Sequence, residues 1–222
     1  MSEWWTYRLT SFLLFSPRTY YRTIELYNIA IWPLQLVGVA IGVAIVGLLI
    51  RKHATGRGRI ISGLLALCWL WTAWAFHYER YAQINWAATW FALAFVIEAL
   101  LLGAIGVAAR RVDFETSERR GERMAIGLIA IVVIAYPLLT LLTGRQWTTA
   151  ETFGVAPDPT ALVTLAVLAL ARGRFTWLLW IVPVVWCLLS AATLWAMKVP
   201  EALIVSAMAV LALLPRALRL KV

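Results

Sequence analysis

The chain has 222 residues, of which 63% are hydrophobic and only 14% charged, with 13 Trp and a mean hydropathy of +0.81. Soluble domains carry roughly 25% charged residues, so the composition excludes an ordinary soluble globule and predicts an integral membrane protein with little chain outside lipid. The net charge of +9 sits in short patches between apolar runs, which is the pattern of membrane topology and not of a nucleic-acid partner.

Residues 1–28 are too charged to cross a bilayer and too aromatic to float free, with Trp4, Trp5, Tyr7, Phe12, Tyr20 and Tyr21 among them. They predict a surface-lying segment broken at Pro17 into two short interfacial helices on the outer face. With Glu3 ahead of Arg8, a short apolar stretch and no small-residue cleavage site, the first fifteen residues do not read as a signal peptide.

Seven apolar spans follow within a single transmembrane domain, 29–215. The first is 29–50, followed by Arg51, Lys52, Arg57 and Arg59; the second is 60–76, followed by the polar stretch His77-Tyr78-Glu79-Arg80-Tyr81. The third is 87–109, with five Arg in the segment 110–123, and the fourth is 124–142. The fifth, 160–171, has only 12 residues and either spans with help from 153–159 or dips in and returns; the sixth is 175–197 and the seventh 202–215, before a basic cytoplasmic tail at 216–222. Charge separates the two readings of the fifth element. With seven crossings, 14 of the 20 Lys and Arg fall on one side; with a re-entrant fifth element they divide equally. The positive-inside rule therefore predicts an all-α bundle of seven spans, N-terminus out and C-terminus in.

Glu98 lies at the middle of the third span. A carboxylate at that depth costs roughly 2.5–3.5 kcal/mol, so the residue is expected to be neutral, paired or facing a wet cavity, with Gln35 and Ser190 as partners of similar depth. His53 and His77 flank the second span about 36 Å apart and cannot share an ion. His77 could instead join Glu79, Glu151 and Asp158 on the outer face, although no spacing demands a metal there, and a solvated rim is the expected arrangement. Cys68 and Cys187 sit in apolar runs and are expected to remain thiols. The only lysines, Lys52, Lys198 and Lys221, lie at loops or ends, which excludes a Schiff-base pigment in the last span.

Gly38-x-x-x-Gly42, Ala40-x-x-x-Ala44 and Ala99-x-x-x-Gly103 predict close helix packing, within the chain first and to a partner second. Trp69, Trp71, Trp74, Trp86 and Trp90 predict an aromatic belt at the outer interface. Pro157-Asp158-Pro159 predicts a rigid, non-helical lead-in to the fifth span, with Asp158 capping a helix that begins near Thr160.

Phe15-Ser16-Pro17-Arg18-Thr19-Tyr20-Tyr21, Glu25-Leu26-Tyr27-Asn28, Ile84-Asn85 with Ala87-Ala88, and the run from Phe153 through Thr160 together resemble an uncharacterised bacterial membrane-protein family, one of the domains of unknown function, over nearly the whole chain. The resemblance implies a helical membrane fold in a bacterial inner membrane and no activity. Position 158 is more usually cysteine in that family and position 98 more often glutamine, so neither acid carries over as a family site.

No catalytic triad, nucleotide loop or cofactor fingerprint is present, and the cofactor is left open. The expected role is a non-catalytic accessory or interaction subunit, Trp-rich at its flanks, with the lipid bilayer, a hydrophobic cofactor or a larger membrane complex as partner. The alternative is a small-solute, ion or proton transporter using Glu98. The candidate functional residues are Glu98, His77, Glu79 and Asp158.

Overall fold

The structure is a computed structural model that describes residues 15–51, 55–114 and 120–220. Nine α-helices make up most of the described chain, joined by a single two-residue antiparallel strand pair, Asp113–Phe114 with Ala171–Arg172. Three helices are long and apolar enough to cross a membrane, or up to five if each of two bent helix pairs counts as one span.

Helix α1 (Pro17–Ile31) starts where proline is tolerated, at the first helical position, with the Ser16 hydroxyl accepting from the Thr19 amide at 3.2 Å. The predicted helix before Pro17 lies outside the described residues. The buried face of α1, Tyr20, Ile24, Tyr27 and Asn28, recurs at helical spacing and packs on the segment 147–155. Pro33 ends α1, and α2 (Leu34–Ile50) leaves at 88° to it. The first apolar run is therefore not one span from residue 29: residues 29–31 finish α1.

Helix α3 (Arg57–Trp71) widens into a π-helical stretch, Thr72–Tyr78, and α4 (Ala88–Leu101) does the same through Leu102–Ala108. The first of these carries His77 within a helix and into the interior, where the hydropathy profile places a solvated loop. Helix α5 (Arg120–Ile134) bends by 46° near Pro137 into the one-turn α6 (Leu139–Leu142), so the fourth run is a kinked pair. Helix α7 (Pro157–Leu170) is short, and nothing of it faces outward. All 14 residues are buried, packed by α3, α5, α8 and α9. A helix apolar all round is the signature of such a central position. Helix α8 (Ile181–Ala196) and α9 (Glu201–Leu220) complete the ring around it. The predicted tail at 216–222 is helical as far as Leu220, because α9 runs through Pro215.

The connections sort to two ends. At one end Arg57 donates to the Arg51 carbonyl at 3.1 Å, and Gly58 is pressed on the Val112 carbonyl. There too the strand pair ties 113–114 to 171–172, Gly173 lies on Arg111, and a methyl at Gly121 would come within 3.1 Å of the Pro215 carbonyl. At the other end Tyr27 reaches Val155, Tyr20 meets Tyr81 edge to face, and Arg145 pairs with Glu201. Consequently α2, α3, α4, α5, α7, α8 and α9 run alternately from one end to the other, and the arginine-rich connections gather at the same end.

Of the small-residue motifs, Gly38 and Gly42 form an internal seam. A side chain on Gly38 would strike the Phe153 carbonyl, and one on Gly42 would meet Val133. Ala40 and Ala44 face outward and Gly103 has open space, so these three positions make no close packing within the chain, whereas Ala99 is buried.

Candidate functional site

The site sits where the N-terminus of α7 is buried among α1, α3, α8 and the segment 144–156. A buried helix start would strand several amide donors; Pro157 and Pro159 remove two of them outright. Ala156 is extended (φ −112°, ψ 147°), as predicted, but the helix begins at Pro157, so Asp158 is helical and not part of an irregular lead-in. The proline restraint on Asp158 is a bias, and in the first turn the lost hydrogen bonds are ones no helix makes. The Thr160 hydroxyl does the local tying instead, accepting from the Gly154 amide at 3.0 Å and donating to the Ala156 carbonyl at 2.6 Å. Gly154 (φ +83°) makes a turn that sets this segment against Gly38 and Cys68, where a Cβ would crowd both.

Asp158 thereby points at α8. Its Oδ1 accepts from Trp186 Nε1 at 2.8 Å and its Oδ2 from the Ser190 hydroxyl at 2.7 Å, donors one helical turn apart. The side chain is buried, and its position in the first turn of α7 adds the favourable end of the helix dipole. Glu151 is buried on the same side, with its Oε1 unpartnered among the described residues. Burial first, and then the Asp158 carboxylate, push the Glu151 carboxyl up to about 8, against the opposing pull of Arg145. Arg145 Nε pairs with Glu201 Oε1 at 3.0 Å, and its guanidinium lies 4.2 Å over the Tyr21 ring.

Trp186 links Asp158 to His77. The His77 ring centroid is 4.8 Å from that of Trp186 and 4.4 Å from that of Phe95, and neither ring nitrogen has a hydrogen-bond partner among the described residues. Phe95 continues along α4 to Glu98, one turn further on, which is 0% exposed with both carboxyl oxygens unpartnered. The expected partners are engaged elsewhere: Gln35 donates to the Asn28 carbonyl at 2.8 Å, and Ser190 to Asp158. Glu79 is exposed and does not join His77. Of the four candidate residues, the structure thus links Asp158 and His77 through one indole, sets Glu98 a turn beyond, and leaves Glu79 apart. The imagined rim of His77, Glu79, Glu151 and Asp158 is corrected in the same way: only Glu151 and Asp158 act on each other, and both are buried. Among the described residues no group of three or more His, Cys, Asp or Glu is placed to hold a metal ion.

Arg145, Glu201 and Trp186 are members of this site that the sequence did not single out, and Ser190, expected beside Glu98, belongs to it through Asp158. Arg145 and Glu201 are 56 positions apart, each in a stretch that reads as a polar turn. The usable signal was the aromatic segment before α2. Tyr27 donates to the Val155 carbonyl at 2.8 Å, and the Asn28 amide donates to Thr148 and Ala150, both at 2.8 Å, so the motif segments around 27–28 and 153–160 are in contact. The Trp set divides. Trp74, Trp86 and Trp90 are exposed, as a belt requires, whereas Trp69 is in the core donating to Thr164 at 2.9 Å and Trp71 donates to the Tyr27 hydroxyl at 3.0 Å.

Beside this site a cleft of about 680 Å³ opens on the flank of the bundle. The α1–α2 corner forms one wall with Ile29, Trp32 and Leu36, α5 contributes Val133 and Ile134, and Trp147 closes the end. Its lining is mostly apolar; the Asn28 amide is spent on the backbone of 148–150.

No curated protein and no solved structure matches the chain. The sequence profile of DUF6064, a family of unknown function, matches residues 18–220, and the chain belongs to that family.

Proposed function

We propose that the protein is a non-catalytic, multi-spanning membrane protein that holds the apolar chain of an amphiphile, a lipid tail or a lipid-soluble cofactor, in the cleft between the α1–α2 corner and α5. The cleft carries this reading: it is apolar, about 680 Å³, and open sideways, the direction from which a membrane-dissolved molecule arrives. Seven crossings in a bacterial inner membrane, N-terminus out and C-terminus in, complete it. The alternating run of seven elements supports this, as do the cations gathered at one end and exposed side chains such as Leu67, Leu100, Leu188 and Leu203, which in water would be a liability. In that frame α1 lies along the outer interface at a right angle to α2, and the exposed apolar flanks serve lateral contact with a larger membrane complex.

Val39→Trp places an indole in the cleft from α2, where Val39 lines it half-buried. Binding of a fluorescent acyl-chain probe to the purified protein is expected to weaken at least about tenfold, equivalent to about 1.4 kcal/mol, with thermal stability retained. Unchanged binding in a folded Val39→Trp protein would refute the assignment.

A transporter remains the second reading because Glu98, buried and unpartnered, is a group that could take up a proton within the membrane. Proton or solute flux in reconstituted vesicles, abolished by Glu98→Gln with the fold intact, would put it first.

A further inference from the structure

The residues around the start of α7 do not balance in charge. Three buried carboxyls, Glu151, Asp158 and Glu201, face one guanidinium, that of Arg145. Arg145 and Glu201 are paired at 3.0 Å and account for one another. That leaves two acids and no cation, in surroundings where an uncompensated charge is costly. Asp158 has the better claim to ionisation, because both its oxygens accept hydrogen bonds and it lies in the first turn of a helix. Glu151 has an oxygen with nothing to accept from, although the residue is more than nine-tenths buried.

The other groups facing Glu151 supply no positive charge. Tyr20 and Tyr21 of α1 and Tyr136 before α6 are phenols whose ionisation would only add anions. On the far side of Asp158, Tyr81, Cys187 and His77, edge to face with the indole, are uncharged or set beyond the Trp186 ring. No triad of ligating side chains offers a metal ion a seat among the described residues.

We propose that the Glu151–Asp158 pair is a proton-binding site, in which Glu151 carries a single proton that Asp158, held ionised by Trp186 and Ser190, does not. Glu151 sits on the segment whose neighbours Ala150 and Thr152 line the cleft, so the proton holds that wall against the bundle. Releasing it sets two carboxylates against each other and pushes the segment away from α7. The site is thus sensitive to pH on the side where 144–156 lies. The proposal stands whether or not the cleft takes an amphiphile.

Infrared difference spectra of the full chain in detergent, recorded between pH 5 and 10, follow protonated carboxyl groups directly. Expected is one carboxyl titrating with a midpoint near pH 8, absent in Glu151→Gln and retained in Glu98→Gln. Asp158→Asn removes the facing charge and should lower the midpoint by about one pH unit or more. The sign for stability follows from linkage. The carboxyl is raised above its ordinary 4.5, so its stabilising contribution is full below pH 4.5 and is lost as pH climbs through about 8. The melting temperature of the wild type should therefore fall across that window, and that of Glu151→Gln should lack this fall. A carboxyl titration with its midpoint near pH 8 that survives in Glu151→Gln, the absence of any such titration in the wild type, or a midpoint that moves with added sodium or calcium instead of with Asp158→Asn, would overturn the proposal.

Discussion

Asp158→Ala is expected to destabilise the protein by about 3–5 kcal/mol, the largest effect of any single side-chain truncation at this end of the bundle. The loss comes less from the bonds than from what is left behind. Trp186 Nε1 and the Ser190 hydroxyl are both buried, and each stranded donor costs about 1–3 kcal/mol. Trp186→Phe and Ser190→Ala remove one donor each and should be milder, about 1–2 kcal/mol, since Asp158 keeps its other bond. Because both act through the same carboxylate, each should cost much less once Asp158 is already alanine, and a double-mutant cycle in thermal or denaturant unfolding would expose that coupling. If Asp158→Ala melted with the wild type, the hydrogen-bonded junction of α7 with α8 would not be what fixes the central helix.

Glu98 is expected to behave in the opposite sense. From sequence alone, glutamine should be tolerated and leucine not, because leucine would strand a partner on another helix. In the structure neither carboxyl oxygen has a partner among the described residues, so there is nothing to strand. Glu98→Leu should then raise stability by about 1–3 kcal/mol, the desolvation cost of an unsatisfied buried polar group, and Glu98→Gln should change it little. Glu98→Lys would have to be buried charged or forced neutral and should disrupt assembly. Melting temperatures of the three variants in one detergent give the order directly. A marked loss of stability in Glu98→Leu would mean that the carboxyl has a structural partner after all.

The spans were legible because apolar length is a local property. Runs such as 60–76, 87–109 and 175–197 each overlap a helix long enough to cross. The arginine-rich connections were legible for the same reason, and the strand pair between 113–114 and 171–172 shows two of them meeting at one end. What failed was everything that depends on which way a side chain points. His77 reads as the first residue of a polar loop, but the π-helical stretch 72–78 prolongs α3 past it and turns it onto Phe95 and Trp186. Trp69 and Trp74 read alike as belt residues, yet five positions put one in the core and the other outside. The fifth apolar run looks too short to be a normal span because the composition of a central helix and that of a marginal one are the same; only its neighbours distinguish them. Asp158 was visible as a charge beside two prolines, whereas its partnership with Trp186 and Ser190 depends on a helix 28 to 32 residues away. The pairing of Arg145 with Glu201 is longer-range still, and no periodicity announces it.

Both the cleft and the carboxyl pair are placed by one arrangement, in which the segment 144–156 and the α8–α9 turn share one end of the bundle and the arginine-rich connections the other, ends that we propose face outward and inward respectively. Single cysteines at Lys198, Arg174 and Lys221, in a chain with Cys68 and Cys187 replaced by alanine, test it with an impermeant thiol reagent on intact and permeabilised cells. Labelling is expected at position 198 in intact cells, and at 174 and 221 only after permeabilisation. Opposite sides for 174 and 221, or a shared side for 174 and 198, would contradict it.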